Sequence, residues 1–147
     1  MNSFGANNSV LIVEDDGMVL GTLTTTLELE HFDVTGCSNP FEALRLLSRR
    51  EYAVILSDHN MPGMSGLAFF AECRRLHPAS SRILLTAVRE LNTVMAAINQ
   101  GGEVCRFLSK PWKMDELIAA VRSGVQQHER MARSGGMPVR AAGLGRG

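Results

Sequence analysis

Five short apolar runs, at residues 10–13, 32–35, 53–57, 83–86 and 106–108, alternate with longer stretches of helical period, and nothing else in the chain constrains its fold as tightly. Runs of this length suit strands. The segments between them, at 17–30, 40–48, 65–76, 90–100 and 114–128, are long enough to be helices. The runs are nearly continuous in apolar character, as expected of strands covered on both faces. Five successive βα repeats therefore predict an α/β fold: a parallel sheet flanked by five helices.

Local signals agree with this division. Asn39 is suited to cap the second helix with Pro40 at its first position, Pro78 blocks continuation of the third, and Gly101 is a stop for the fourth. In the fifth segment, Leu117, Ile118, Val121 and Val125 share one face. Val94, Ala97 and Ile98 have a similar spacing, which serves core packing or a contact surface. After about Met131 the chain turns to Gly, Ala, Arg and Pro, with too few large apolar groups to offset the entropy of ordering. The expected organisation is one domain over 8–130 and a disordered tail or linker over 131–147.

Of the 147 residues, fifteen are basic and fifteen acidic, so no net field draws the chain to nucleic acid or to an anionic membrane. Cys37, Cys73 and Cys105 are odd in number and form no C-x-x-C pair. That argues against a disulfide framework or zinc cluster and fits a reducing cytoplasm. No signal-peptide core and no membrane-length apolar run is present. His31, His77 and His128 have no spacing suited to a metal site.

In a parallel sheet the carboxyl ends of all strands meet along one edge, where such folds bind ligands. The first run ends in Glu14, Asp15 and Asp16, the third in Asp58, His59 and Asn60, the fourth in Thr86 and Ala87, and the fifth in Lys110 and Pro111. The result is an acidic pocket with one hydroxyl and one lysine. Clustered carboxylates repel one another unless a cation neutralises them, and hard oxygen ligands suit Mg2+. His59 is read as a loop residue, not as an acid–base catalyst. Pro62 and Gly63 favour a turn, and Gly66 permits close backbone approach.

The motifs VLIVEDD, SDHNMPGMSG, LLTA and FLSKPW, in this order and spacing, resemble those of response-regulator receiver domains of two-component signalling. The resemblance implies a doubly wound, flavodoxin-like sheet of strand order 2-1-3-4-5. It implies that Asp58 is the nucleophile that takes a phosphoryl group from a sensor histidine kinase or a histidine phosphotransfer protein. Mg2+ would be held by Asp15, Asp58 and the backbone carbonyl of Asn60, with Glu14 acting through water. Lys110 would pair with the acidic cluster and then with a phosphoryl oxygen, with Pro111 following a cis peptide. Thr86 would be the switch hydroxyl, with Ala87 leaving room for the phosphoryl group. Phe107 would be the aromatic that moves with Thr86, and Asn60 and Val88 would lie near the path of an attacking water.

Such a module is a signalling switch and not an enzyme. Its output is an unknown domain or protein, a homodimer on activation is one outcome the resemblance allows, and neither direct nucleic-acid binding nor membrane association is expected. Glu14 stands where aspartate is frequent in this family, Phe107 where tyrosine is frequent, and Trp112 follows the Lys-Pro pair. The stretch INQGGEVCRFLSKPW is similar to the end of receivers joined to HD-type cyclic-dinucleotide phosphodiesterases or transcriptional activators.

Three other functions fit these residues less well. A metal-dependent phosphohydrolase commonly carries a second carboxylate two residues after its nucleophile, where this chain has Asn60. A flavodoxin-like cofactor binder needs a phosphate-cradling loop after the first strand, where this chain has three carboxylates. A constitutive interaction domain would be marked by loss of Asp15, Asp58, Thr86 or Lys110, and all four are present.

Overall fold

A computed structural model describes residues 8–99 and 106–134. The strands are β1 (Ser9–Val13), β2 (Asp33–Cys37), β3 (Val54–Asp58), β4 (Ser81–Ala87) and β5 (Arg106–Lys110). The helices are α1 (Gly17–Leu29), α2 (Pro40–Leu47), α3 (Gly66–Leu76), α4 (Leu91–Asn99) and α5 (Met114–Arg133), with one 3-10 turn at Val88–Glu90 before α4. All strand pairs are parallel, in the order β2-β1-β3-β4-β5. This is the α/β, doubly wound order expected from the resemblance.

Period-2 alternation divides the strand side chains between two apolar layers. Leu11, Val13, Ile55 and Leu84 pack with Ala43 and Leu47 of α2, Phe69 and Phe70 of α3, and Val94 of α4. Val10, Ile12, Val54, Leu56, Ile83 and Leu85 pack on the other face with Leu23 and Leu27 of α1 and Leu117 and Val121 of α5. Each fully buried Leu, Ile or Phe contributes about 1.5–3 kcal/mol by leaving water. Val94 and Ile98 belong to this packing, so their spacing marks core and not an open contact face.

Asn39 caps α2, accepting the Glu42 N–H at 2.8 Å, with Pro40 at the first helical position. α3 ends at Leu76, before Pro78. The expected stop at Gly101 lies outside the described residues.

Several elements, β2, β4, β5 and α5 among them, run further than the sequence pattern suggests. β2 continues through Gly36 and Cys37, which pair with Ile12 and Val13. As an edge strand it tolerates positions that no apolar run marks. β4 begins at Ser81 and Arg82, polar residues that are nevertheless buried. Ser81 Oγ donates to the Gly124 carbonyl at 2.6 Å and Arg82 Nη1 to the Ser80 carbonyl at 3.1 Å, so these groups enter the interior with partners.

α5 extends to Arg133, past the helix end expected at 128. His128, one of its buried residues, donates from Nε2 to Glu51 Oε2 at 2.8 Å. His77 donates from Nε2 to the Leu47 carbonyl at 2.7 Å and turns Nδ1 toward Glu51 Oε1 at 3.9 Å. Two histidines that look unrelated in sequence thus tie α3 and α5 to the segment preceding β3. Among the described residues, no helix is long and apolar enough to cross a membrane.

Replacing Asn39 with alanine leaves the Glu42 N–H of α2 without its acceptor and is expected to lower stability by about 1 kcal/mol. Urea denaturation should show an earlier midpoint with an unchanged slope.

Candidate functional site

β1 and β3 are neighbours, and both end at the same edge of the sheet. The β1–α1 turn therefore lies directly beside Asp58. Glu14 and Asp58 are buried and Asp15 is exposed, and each offers a carboxylate oxygen within 4.8 Å of the other two. Asp16 leaves this group: its Oδ1 accepts from Met18 and Val19 N–H and caps α1. Of the three consecutive acids, two face the pocket and the third starts the helix.

Lys110, the last residue of β5, reaches the cluster from the other side of the sheet edge. Its Nζ lies 2.7 Å from Asp58 Oδ1, and the peptide that follows it, Lys110-Pro111, is cis. Asp58 Oδ1 and Glu14 Oε1 are both buried without an aligned hydrogen-bond donor, so at Asp58 the attraction to lysine is that of an ion pair. Glu14 Oε2 accepts the Asp16 N–H at 3.1 Å.

Loss of hydration on burial raises the Glu14 pKa from 4.5 to about 7, and the negative charges of Asp58 and Asp15 add to this, against the Asp16 hydrogen bond and the Lys110 charge. Two undersatisfied buried carboxylates and a third at the rim form an all-oxygen donor set that fits a hard divalent cation.

The remaining sequence candidates are arranged around this centre. Thr86 is buried on β4, one residue beyond Leu85, the register partner of Asp58. Its hydroxyl is 3.4 Å from the Ala87 carbonyl, a long hydrogen bond on its own strand. Ala87 is in register with Lys110. Asn60 is exposed in the loop after β3, and Phe107 is half-buried against the layer formed by α2, α3 and α4.

His59 lies in the bend after β3, as the loop reading has it, but it is buried, and its Nδ1 has no hydrogen-bond partner. Its own N–H donates to the Leu85 carbonyl at 2.9 Å, which continues the ladder one residue past β3. Gly66 lies against this backbone: a Cβ there would sit 2.6 Å from the Asp58 carbonyl oxygen. Sequence reasoning passed over Ser57, whose buried hydroxyl looks like any small residue in a strand.

In the cation-free protein the folded state holds the Glu14 proton more tightly than the unfolded chain does. Stability therefore falls as pH rises from about 4.5 to about 7, by a total on the order of 3 kcal/mol. Glu14→Gln should flatten that part of the stability–pH curve and exceed the wild type in urea midpoint at pH 8. A millimolar divalent cation should narrow the difference.

The receiver-domain family model, described as response regulator receiver domain, matches residues 10–122. The hydrogenase transcriptional regulatory protein HoxA of Cupriavidus necator is 36% identical over 118 residues, which cover 80% of this chain and 24% of that protein. Among solved structures, an adenylate cyclase from Rhodopirellula baltica is similar with a TM-score of 0.82 and 35% identity, covering 88% of this chain and 95% of that one. The signal receiver domain of an HD domain-containing protein from Pseudomonas fluorescens Pf-5 follows at TM-score 0.78 and 30% identity, covering 90% and 98%. The chain spans about a quarter of the length of the curated relatives it matches.

Proposed function

The chain belongs to the response regulator receiver domain family of two-component systems, and we propose that Asp58 is its phosphoacceptor, with a phosphohistidine on a sensor kinase or phosphotransfer protein as donor. The observation that carries this reading is the buried Asp58 carboxylate at the end of a central strand, paired with Lys110 at 2.7 Å and crowded by Glu14 and Asp15.

In the transfer step a carboxylate oxygen of Asp58 forms a bond to phosphorus while the P–N bond to the donor imidazole breaks. The electron pair returns to the imidazole nitrogen, which ends neutral or takes a proton from solvent. Lys110 first pairs with the Asp58 carboxylate at 2.7 Å, and then offers its ammonium to a phosphoryl oxygen. Glu14, Asp15, Asp58 and the Asn60 carbonyl would hold Mg2+, with Glu14 acting through water. When bound, the ion offsets the negative charge that gathers on the phosphoryl oxygens.

Thr86 holds its hydroxyl in a long bond to the Ala87 carbonyl, so little is lost when it turns toward a phosphorylated Asp58. Phe107 is half-buried on the neighbouring strand, and Thr86 pairs there with Ser109. A shift at Thr86 thereby reaches the face of α4, β5 and α5, where an output domain or protein, or a second copy of the chain, would sense it. The receiver is assigned to 8–130 and the tail or linker to 131–147, of which residues 135–147 lie outside the described residues, while α5 runs to Arg133. Buried, unpaired Cys37 and Cys73 suit a reducing cytoplasm.

Incubation with acetyl phosphate and Mg2+ should add one phosphoryl group, detected by intact mass, to the wild type and none to Asp58→Asn. Retained acyl phosphate in that variant would reject the assignment. Thr86→Ala should still be modified, but without the phosphorylation-dependent change in the NMR signals of Phe107.

A further inference from the structure

The peptide unit that follows Asp58 is tied at both ends, and one tie comes from a side chain outside the acidic pocket. Pairing between β1 and β3 ends at Val13–Ser57, one residue short of Asp58. The Asp58 carbonyl thus lies past the β1 ladder, in a residue that is only 3% exposed. A buried acceptor in that position needs a donor. Ser57 Oγ donates to it at 2.9 Å.

The other end of the same peptide, the His59 N–H, donates to the Leu85 carbonyl at 2.9 Å, and the next peptide is held by Gly66 N–H to the His59 carbonyl at 2.8 Å. These bonds fix two successive peptide planes between the phosphoacceptor and Asn60. Ser57 is itself fully buried, with Met61 Sδ 3.8 Å from its hydroxyl. Two positions earlier, on the same face of β3, Ile55 lies in an apolar layer. A hydroxyl in such surroundings costs free energy unless it is bonded, and here its bond is made to the backbone of the nucleophile.

We propose that Ser57 is a positioning residue for the phosphoacceptor site: its hydroxyl fixes the Asp58–His59 peptide plane, and with it the direction of the Asp58 carboxylate and the placement of the Asn60 backbone. The inference rests on the reading of Asp58 as phosphoacceptor. Ser57 acts only through the backbone, and misplacement of reacting groups by fractions of an ångström is enough to slow a transfer.

The test uses the full chain with Ser57→Ala, Ser57→Cys, which leaves no cavity but donates weakly, and Ser57→Thr, which keeps the hydroxyl. In the Ala and Cys variants the His59 amide should exchange with deuterium roughly tenfold faster relative to the core amides of Leu11 and Ile83. Mg2+ affinity measured by calorimetry should weaken, and acyl-phosphate formation from acetyl phosphate should slow about tenfold, with Ser57→Thr near the wild type.

Exchange that rises equally at all core amides, with unchanged Mg2+ affinity and transfer rate, would make Ser57 an ordinary core residue and overturn the proposal. So would a defect in Ser57→Ala that Ser57→Cys does not share, since that is the mark of a cavity. If the wild type forms no acyl phosphate, the reading of Asp58 fails, while exchange and calorimetry still decide the role of Ser57.

Discussion

Like charges held together at one edge of the sheet, two of them out of water, govern this structure. Glu14, Asp15 and Asp58 bring three carboxylates within 4.8 Å, and Lys110 is the cation that meets them. One ammonium does not neutralise three carboxylates, and Glu14 has its pKa raised to about 7, chiefly by loss of hydration on burial and further by the charges of Asp58 and Asp15. That arrangement is costly for a fold to maintain, and it is held because each group is fixed by an element the core has already positioned. Glu14 follows a fully buried strand, Asp58 ends the strand beside it, and Lys110 ends β5.

The sheet makes this possible through its direction and its two covered faces. Parallel strands bring their carboxyl ends to one edge, and order 2-1-3-4-5 sets β1 next to β3 there. Apolar layers on both faces keep β1, β3 and β4 rigid, so hydrogen bonds at the strand ends, including those on either side of the Asp58–His59 peptide, have a firm frame. At the opposite end of the sheet, Glu51 with His77 and His128 ties α3 and α5 to the segment before β3. α5 is thereby held along most of its length.

Much of this was legible in the residues. Apolar runs of strand length marked the central strands to within a residue or two, because strands buried on both faces have to be apolar throughout. The edge strand β2 and the start of β4 were less legible: Gly36, Ser81 and Arg82 are set by pairing and by specific hydrogen bonds, which leave no periodic trace. The apolar stripe of α5 stops at Val125, so the residues mark the helix only to about 128. A buried histidine anchored by a distant glutamate carries no hydrophobic signal. In the pocket, Glu14, Asp15, Asp58 and Lys110 were recognisable as strand-end polar residues, whereas the bonding of Ser57 and the burial of His59 were not, since tertiary packing gave them their surroundings.

The sequence by itself determined the alternation of elements, the placing of polar residues at strand ends and, through its motifs, the family. These depend on local order along the chain, and periodicity, capping residues and spacing record local order directly. The tertiary structure alone decided which of three consecutive acids would cap a helix and which would face Asp58, how close Lys110 would come, and which buried polar groups would find partners. Those outcomes depend on distances between segments far apart in sequence, and such distances exist only once the sheet has closed and water has been excluded from its edge.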